Sequence, residues 1–187
     1  PRVPDQENAA LKIMQAADAL STDSAEVGRL ALPGSTRRLS PDPKTTFEQL
    51  KWPGRTERLS PDRKTTFEQV LADNAEALKQ LGEGVHLNRS RYPVEFTKDL
   101  DMPLPHLAKV KELAQLLRVE TILASEAGKP ERAVQAIADT LRLARSLDSE
   151  PLLISQLVRV ACLAIGSNSL ERLLSQRSLT EEQLEAL

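Results

Sequence analysis

The chain has 187 residues, 40% hydrophobic and 28% charged, with a formal net charge of −2. That length fits one domain, and the charge balance supplies no field to gather nucleic acid or anionic lipid. A single cysteine, Cys162, excludes an internal disulfide and a cysteine-based zinc site, and no run reaches the ~18 apolar residues of a bilayer span.

Aromatic residues are confined to Phe47, Trp52, Phe67, Tyr92 and Phe96. Alanine and leucine must therefore build the core, which favours close helix packing over a β-sandwich. The chain opens on Pro1 and ends in "SLTEEQLEAL", a helix start that stops abruptly. Both ends read as truncated, so a leader or anchor can precede the first residue.

The first element is "PDQENAALKIMQAADAL". Asp5 is placed to cap a helix, and either Leu11, Met14 and Ala17 or Ala10, Ile13 and Ala17 form its apolar stripe. A short helix is expected over residues 25–30. A tandem repeat follows: residues 33–49, "PGSTRRLSPDPKTTFEQ", recur 20 residues later as "PGRTERLSPDRKTTFEQ", with three of 17 positions changed. Each copy reads as a turn and then a helix start, with Ser at the cap, Pro at the first helical position and an acid behind it. Only the second copy continues without a break, through "TTFEQVLADNAEALKQL" to Gly82, with Phe67, Val70, Leu71, Ala75, Leu78 and Leu81 as its stripe. Two units are too few for a solenoid. The duplication over residues 33–69 therefore reads as a lengthened surface connection, and residues 33–52 as removable with small loss of stability. "RRLS" at Ser40 also matches a basic-directed phosphorylation pattern.

Residues 82–103, "GEGVHLNRSRYPVEFTKDLDMP", carry no helical period and read as one long irregular loop. Strong helical signals resume at Leu104. One helix is expected to about Ala127, a Gly128-Lys129-Pro130 turn follows, and a second helix covers 130–147 with Val134, Ile137, Leu141 and Ala144 inside. "SEPLLISQLVRVACLAIGSNSLERLL" forms the third. Arg159 is the only charge between Leu157 and Ile165, so this helix is expected to be buried on most faces.

The helix–Gly–x–Pro–helix unit, with Gly128 and Ala133 at the turn and packing positions, resembles a degenerate tetratricopeptide pair. The stretches "VPDQENAA", "LADNAEAL" with "RYPVEF", "LPHLAKVKELAQLL", "SEPLLISQLVRVACLAI" and "LTEEQLEAL" resemble a poorly characterised group of helical proteins from planctomycete-type bacteria. That resemblance implies an exported or envelope-anchored protein and attaches no reaction to it.

The two histidines, His86 and His106, lack the spacing of a metal site. No Gly-rich phosphate loop occurs, and Cys162 lies on the most apolar helix, where a thiol acts as a small hydrophobe. No metal and no cofactor are expected. The basic residues around the repeat are offset by acids, which argues against nucleic acid. Gln156 and Arg159 share one face of the third helix; Arg159 is expected to be inaccessible and paired with an acid such as Glu120 or Asp139, since a buried charge requires a partner.

The sequence thus implies an all-α single domain over 1–187, an antiparallel bundle or tetratricopeptide-like array with one long loop. Its function reads as a non-enzymatic interaction module with a protein or peptide partner and no membrane contact of its own. Candidate binding residues are His86, Arg91, Tyr92, Phe96, His106, Gln156 and Arg159. One alternative is a hydrolase-like or ligand-binding site at His86, Arg91, Tyr92, Asp99 and His106; another is a structural spacer of an envelope-anchored protein.

Overall fold

The computed structural model describes residues 3–21, 47, 50, 52–93 and 104–185. Phe96, Asp99, Ser40, the helix expected over 25–30 and the first copy's helix start lie outside them. The fold is all-α: among the described residues, a 3-10 turn at Asp5–Glu7 precedes α1 (Ala9–Asp18), α2 (Pro61–Asp73), α3 (Ala75–Val85), α4 (Pro105–Glu126), α5 (Pro130–Arg145), α6 (Leu153–Gln176) and α7 (Glu181–Glu185).

α1 is capped by Asn8 rather than by Asp5. The Asn8 carboxamide oxygen accepts from Ala10 N–H, and α1 buries Ala9, Ala10, Ile13, Ala16 and Ala17, the second of the two expected stripes. The same side chain also receives Arg91 N–H at 2.9 Å and donates to Arg91 O at 2.9 Å, while Ala9 N–H donates to Arg89 O. One asparagine thereby fixes both a helix start and the course of residues 89–91.

The long helix expected from the second repeat copy is broken in two. Asn74 leaves helical geometry at φ −114°, donates its side-chain amide to Val70 O at 2.8 Å and accepts Ser21 N–H at 2.9 Å. This local bonding competes with the helical ladder. Beyond the break the buried face is reset: Ala75 is exposed, whereas Ala77 and Leu81 are buried. α3 then runs through Gly82 and Gly84 to Val85, so Gly82 caps nothing. Gly84 is required by packing, since a Cβ there would lie 2.8 Å from Lys12 Cβ and 3.3 Å from Ile13 N. The irregular segment consequently begins at His86.

The repeat copies share one core. Phe47 and Leu50, each only 6% exposed, join their second-copy counterparts Phe67 and Val70 in a cluster with Leu116, Val119 and Ile122 of α4. Trp52 packs edge-on to Phe67 at 5.9 Å and lies beneath the Arg118 guanidinium at 4.0 Å. Phe47, Leu50 and Trp52 are therefore part of the core rather than of a dispensable surface insertion.

α4 is the central helix, contacted by α1, α2, α3, α5 and α6, and it is buried on nearly all sides. The turn at Gly128 (φ 72°) leads directly into α5. α4 and α5 pack together, with the Arg132 Nε–H donating to Glu120 Oε1 at 2.8 Å across the pair. The Arg132 charge lowers the Glu120 carboxyl pKa less than burial raises it. Among the described residues α6 contacts chiefly α4 and α5, which cover one face of it. Leu153 (76% exposed), Leu157 (55%) and Val160 (59%) form a bare apolar stripe, in place of the helix buried on most faces. By length and composition α6 could cross a membrane, which the apolar-run count missed. Its covered side, however, carries Ser155, Ser169 and Arg172.

Arg172, 4% exposed, clamps the second copy's approach to α2. Its guanidinium donates to the carbonyls of Gly54, Arg55 and Glu57 and to Glu126 Oε1 at 3.0 Å. Burial presses its pKa down, and Glu126 opposes the shift. α7 opens on a reciprocal capping box: Thr180 N–H donates to Gln183 Oε1 and Gln183 N–H to Thr180 Oγ1.

Candidate functional site

Three of the candidate residues, Tyr92, His106 and Gln156, meet where the start of α4, the turn after α5 and the start of α6 come together. Asn8 holds the backbone at Arg91, which sets Tyr92 into the core. The Tyr92 ring stacks on the His106 imidazole with centroids 4.7 Å apart and planes 26° from parallel. Ser146 Oγ donates to Leu143 O at 2.7 Å, so the 2.8 Å contact between Tyr92 and Ser146 has the tyrosine as donor. Burial pushes the Tyr92 phenol well above its ordinary pKa.

His106 occupies the first turn of α4, behind Pro105. Its Nε2 is 2.9 Å from Glu150 Oε1, and Ser155 at the start of α6 donates its hydroxyl to the other Glu150 oxygen. Burial opposes the charge on Glu150, yet the bonds from His106 and Ser155 and the attraction of His106 together hold its pKa below the ordinary value. Gln156 donates to Leu147 O at 3.1 Å and to Glu150 O at 2.7 Å. The result is a continuous buried polar network linking residue 92, α4, the 146–150 turn and α6.

The order of groups determines what this network can do. A hydrolytic Ser–His pair needs the imidazole beside the hydroxyl. Here the carboxylate lies between them and takes both as donors, and Ser155 and Glu150 are buried. The arrangement joins four segments without presenting a nucleophile. Beside Tyr92 and His106 lies a cavity of about 50 Å³, lined largely by Ile13, Met14, Ala17 and Val110. That volume holds a few waters or a small apolar group.

The other candidates fall elsewhere. His86 is exposed, with its Nε2 4.0 Å from Asp139. Arg91 is exposed and is engaged at this site through its backbone. Arg159 overturns its expectation: its side chain is 35% exposed, and it pairs with Asp148 in the turn before α6 rather than with Glu120 or Asp139. Glu120 is taken by Arg132, and Asp139 by Gln135 and Arg142. The buried arginine of α6 is Arg172. Cys162 is fully buried, and its thiol pKa is pushed up to about 12 by burial.

Sequence reasoning missed Glu150 and Arg172. Glu150 sits in "DSEP", which reads as an exposed turn, and Arg172 in "LERLL", which reads as any amphipathic helix. The chain matches no family model, no curated protein and no solved structure.

Proposed function

We propose that this chain is a helical protein-binding module, and that its partner contributes an amphipathic helix laid along the uncovered face of α6. One observation carries this reading: Leu153, Leu157 and Val160 stand exposed at i, i+4 and i+7, one continuous ridge of the kind that helix-in-groove partners cover. An apolar ridge left in water is unfavourable by about 25 cal/mol per Å², and contiguous patches of this kind mark interaction surfaces. A helix lying on a bilayer carries unpaired Lys and Arg along its flanks. Here the flanking charges are Arg159, paired with Asp148, and Glu171, paired with Arg55, which favours protein over lipid.

On this reading the Tyr92–His106–Glu150–Ser155 network fixes the start of α6 so that the ridge is presented rigidly. The pair α4–α5 stands for the tetratricopeptide-like unit, with Gly128 at its turn and Ala133 buried at its contact. Bacterial origin and envelope location rest on the sequence resemblance alone.

Selection from a displayed library of amphipathic helical peptides tests the proposal. The expected ligands carry apolar residues at helical spacing and lose binding to the Leu157→Glu chain, whose circular dichroism stays unchanged because Leu157 is exposed. Ligands indifferent to Leu157→Glu would overturn it, as would flotation of the chain with lipid vesicles in the absence of any peptide ligand.

A further inference from the structure

A second site lies at the far end of α6. The ends of α4 and α6 and the extended residues before α2 enclose an open cleft of about 370 Å³, lined by Thr56, Arg58, Ser125, Glu126, Ser175, Gln176 and Arg177. That volume falls at the lower end of small-molecule sites, but the lining is polar throughout.

The acids around this cleft are matched internally. Glu126 accepts from Arg172 at 3.0 Å and from Leu59 N–H at 3.4 Å. Glu57 accepts from Gly54 N–H at 2.9 Å and from Arg63 at 2.6 Å. Glu171 pairs with Arg55 at 2.7 Å. Arg58 and Arg177 are left over: among the described residues neither makes an ion pair. Arg177 is seated by Gly128, where a Cβ would come within 3.3 Å of its Nη2. Two guanidinium groups without counter-charges in one cleft repel each other, and an anion between them reverses the sign of that interaction.

We propose that this cleft binds the phosphoryl group of a small phosphate monoester. A dianionic tetrahedral phosphate can accept from both arginine forks and from the Thr56 hydroxyl, whereas Ser125 and Ser175 already donate to Gln176 and to the carbonyls of Arg55 and Arg172. A monocarboxylate is satisfied by a single fork. The cleft exceeds one phosphate group in size, which leaves space for the organic part of the ligand. This site is independent of the apolar ridge, and either can fail without the other.

Calorimetric titration at constant ionic strength, with phenyl phosphate, inorganic phosphate and acetate as probes, tests the assignment. Saturable binding of phenyl phosphate is expected, with acetate at least about tenfold weaker. Arg58→Gln and Arg177→Gln should each weaken phenyl phosphate at least about tenfold. Both side chains are exposed, so thermal melts of the variants should match the parent chain. Arg145→Gln, the same charge change at an exposed site on α5, should leave binding unaltered. Absence of saturation, equal affinity for acetate, or an equal loss in Arg145→Gln overturns the proposal.

Discussion

Arg172→Ala removes the one arginine that, among the described residues, the fold takes out of solvent. The guanidinium donates to three carbonyls, those of Gly54, Arg55 and Glu57, and to the Glu126 carboxylate. Breaking a fully buried ion pair costs about 3–5 kcal/mol, because the remaining charge is stranded. Glu126 retains 17% side-chain exposure and Gly54, Arg55 and Glu57 are exposed residues, so water can recover part of that loss. A cost of about 2–4 kcal/mol follows. With a urea slope of about 2 kcal/mol per M, the midpoint should fall by roughly 1–2 M. Arg159→Ala supplies the comparison: its pair with Asp148 is half exposed, and such pairs contribute about 0–1 kcal/mol. Matched urea melts followed by circular dichroism at 222 nm (the helical band) measure both. Equal midpoints for the two variants would refute the argument, since they would show that the carbonyls of residues 54–57 need no donor from α6.

Three further outcomes follow from the packing and the charges. Gly84→Ala should destabilise by about 1–3 kcal/mol because its Cβ collides with Lys12. Gly82→Ala, with open space around the new Cβ, should instead stabilise by up to about 1 kcal/mol through helix propensity; thermal melts of the pair read opposite signs. Deleting residues 33–52 removes Phe47, Leu50 and Trp52 from the second cluster, an expected loss on the order of 4 kcal/mol at about 1.5–3 per buried side chain, and an unchanged melting temperature would restore the view of a dispensable insertion. For Glu150 the folded pKa lies below its ordinary value, so its contribution is present above the unfolded carboxyl pKa of about 4.3 and is lost as pH falls through the folded one. The stability gap between the parent chain and Glu150→Gln should therefore be flat above about pH 5 and close below about pH 4, as read by urea melts across that range.

What the sequence determined by itself is what depends on near neighbours in the chain. The limits of α4 and α5 follow from Pro105, Gly128 and Pro130 and from a 3.6-residue apolar period, because capping and helix geometry act within a few residues. Tyr92, His106 and Gln156 were among the candidate binding residues, and they do meet. Other features were decided only by tertiary structure. An apolar pattern shows that a helix has a face to cover, not how many neighbours will cover it. α4 lies among five helices and α6 chiefly against two, so α4 is the buried helix and α6 keeps a bare ridge. The same asymmetry leaves Arg159 at the surface and encloses Arg172. At the break between α2 and α3 the Asn74 side chain is bonded not only to Val70 O in its own helix but also to the N–H of Ser21, 53 residues away. Gly84 is needed because α1 passes within van der Waals distance of it. Glu150 becomes the centre of a buried network only once α4 and α6 bring His106 and Ser155 to its two oxygens. Each of these depends on which segments approach in space, and that is set by the packing of all the helices at once.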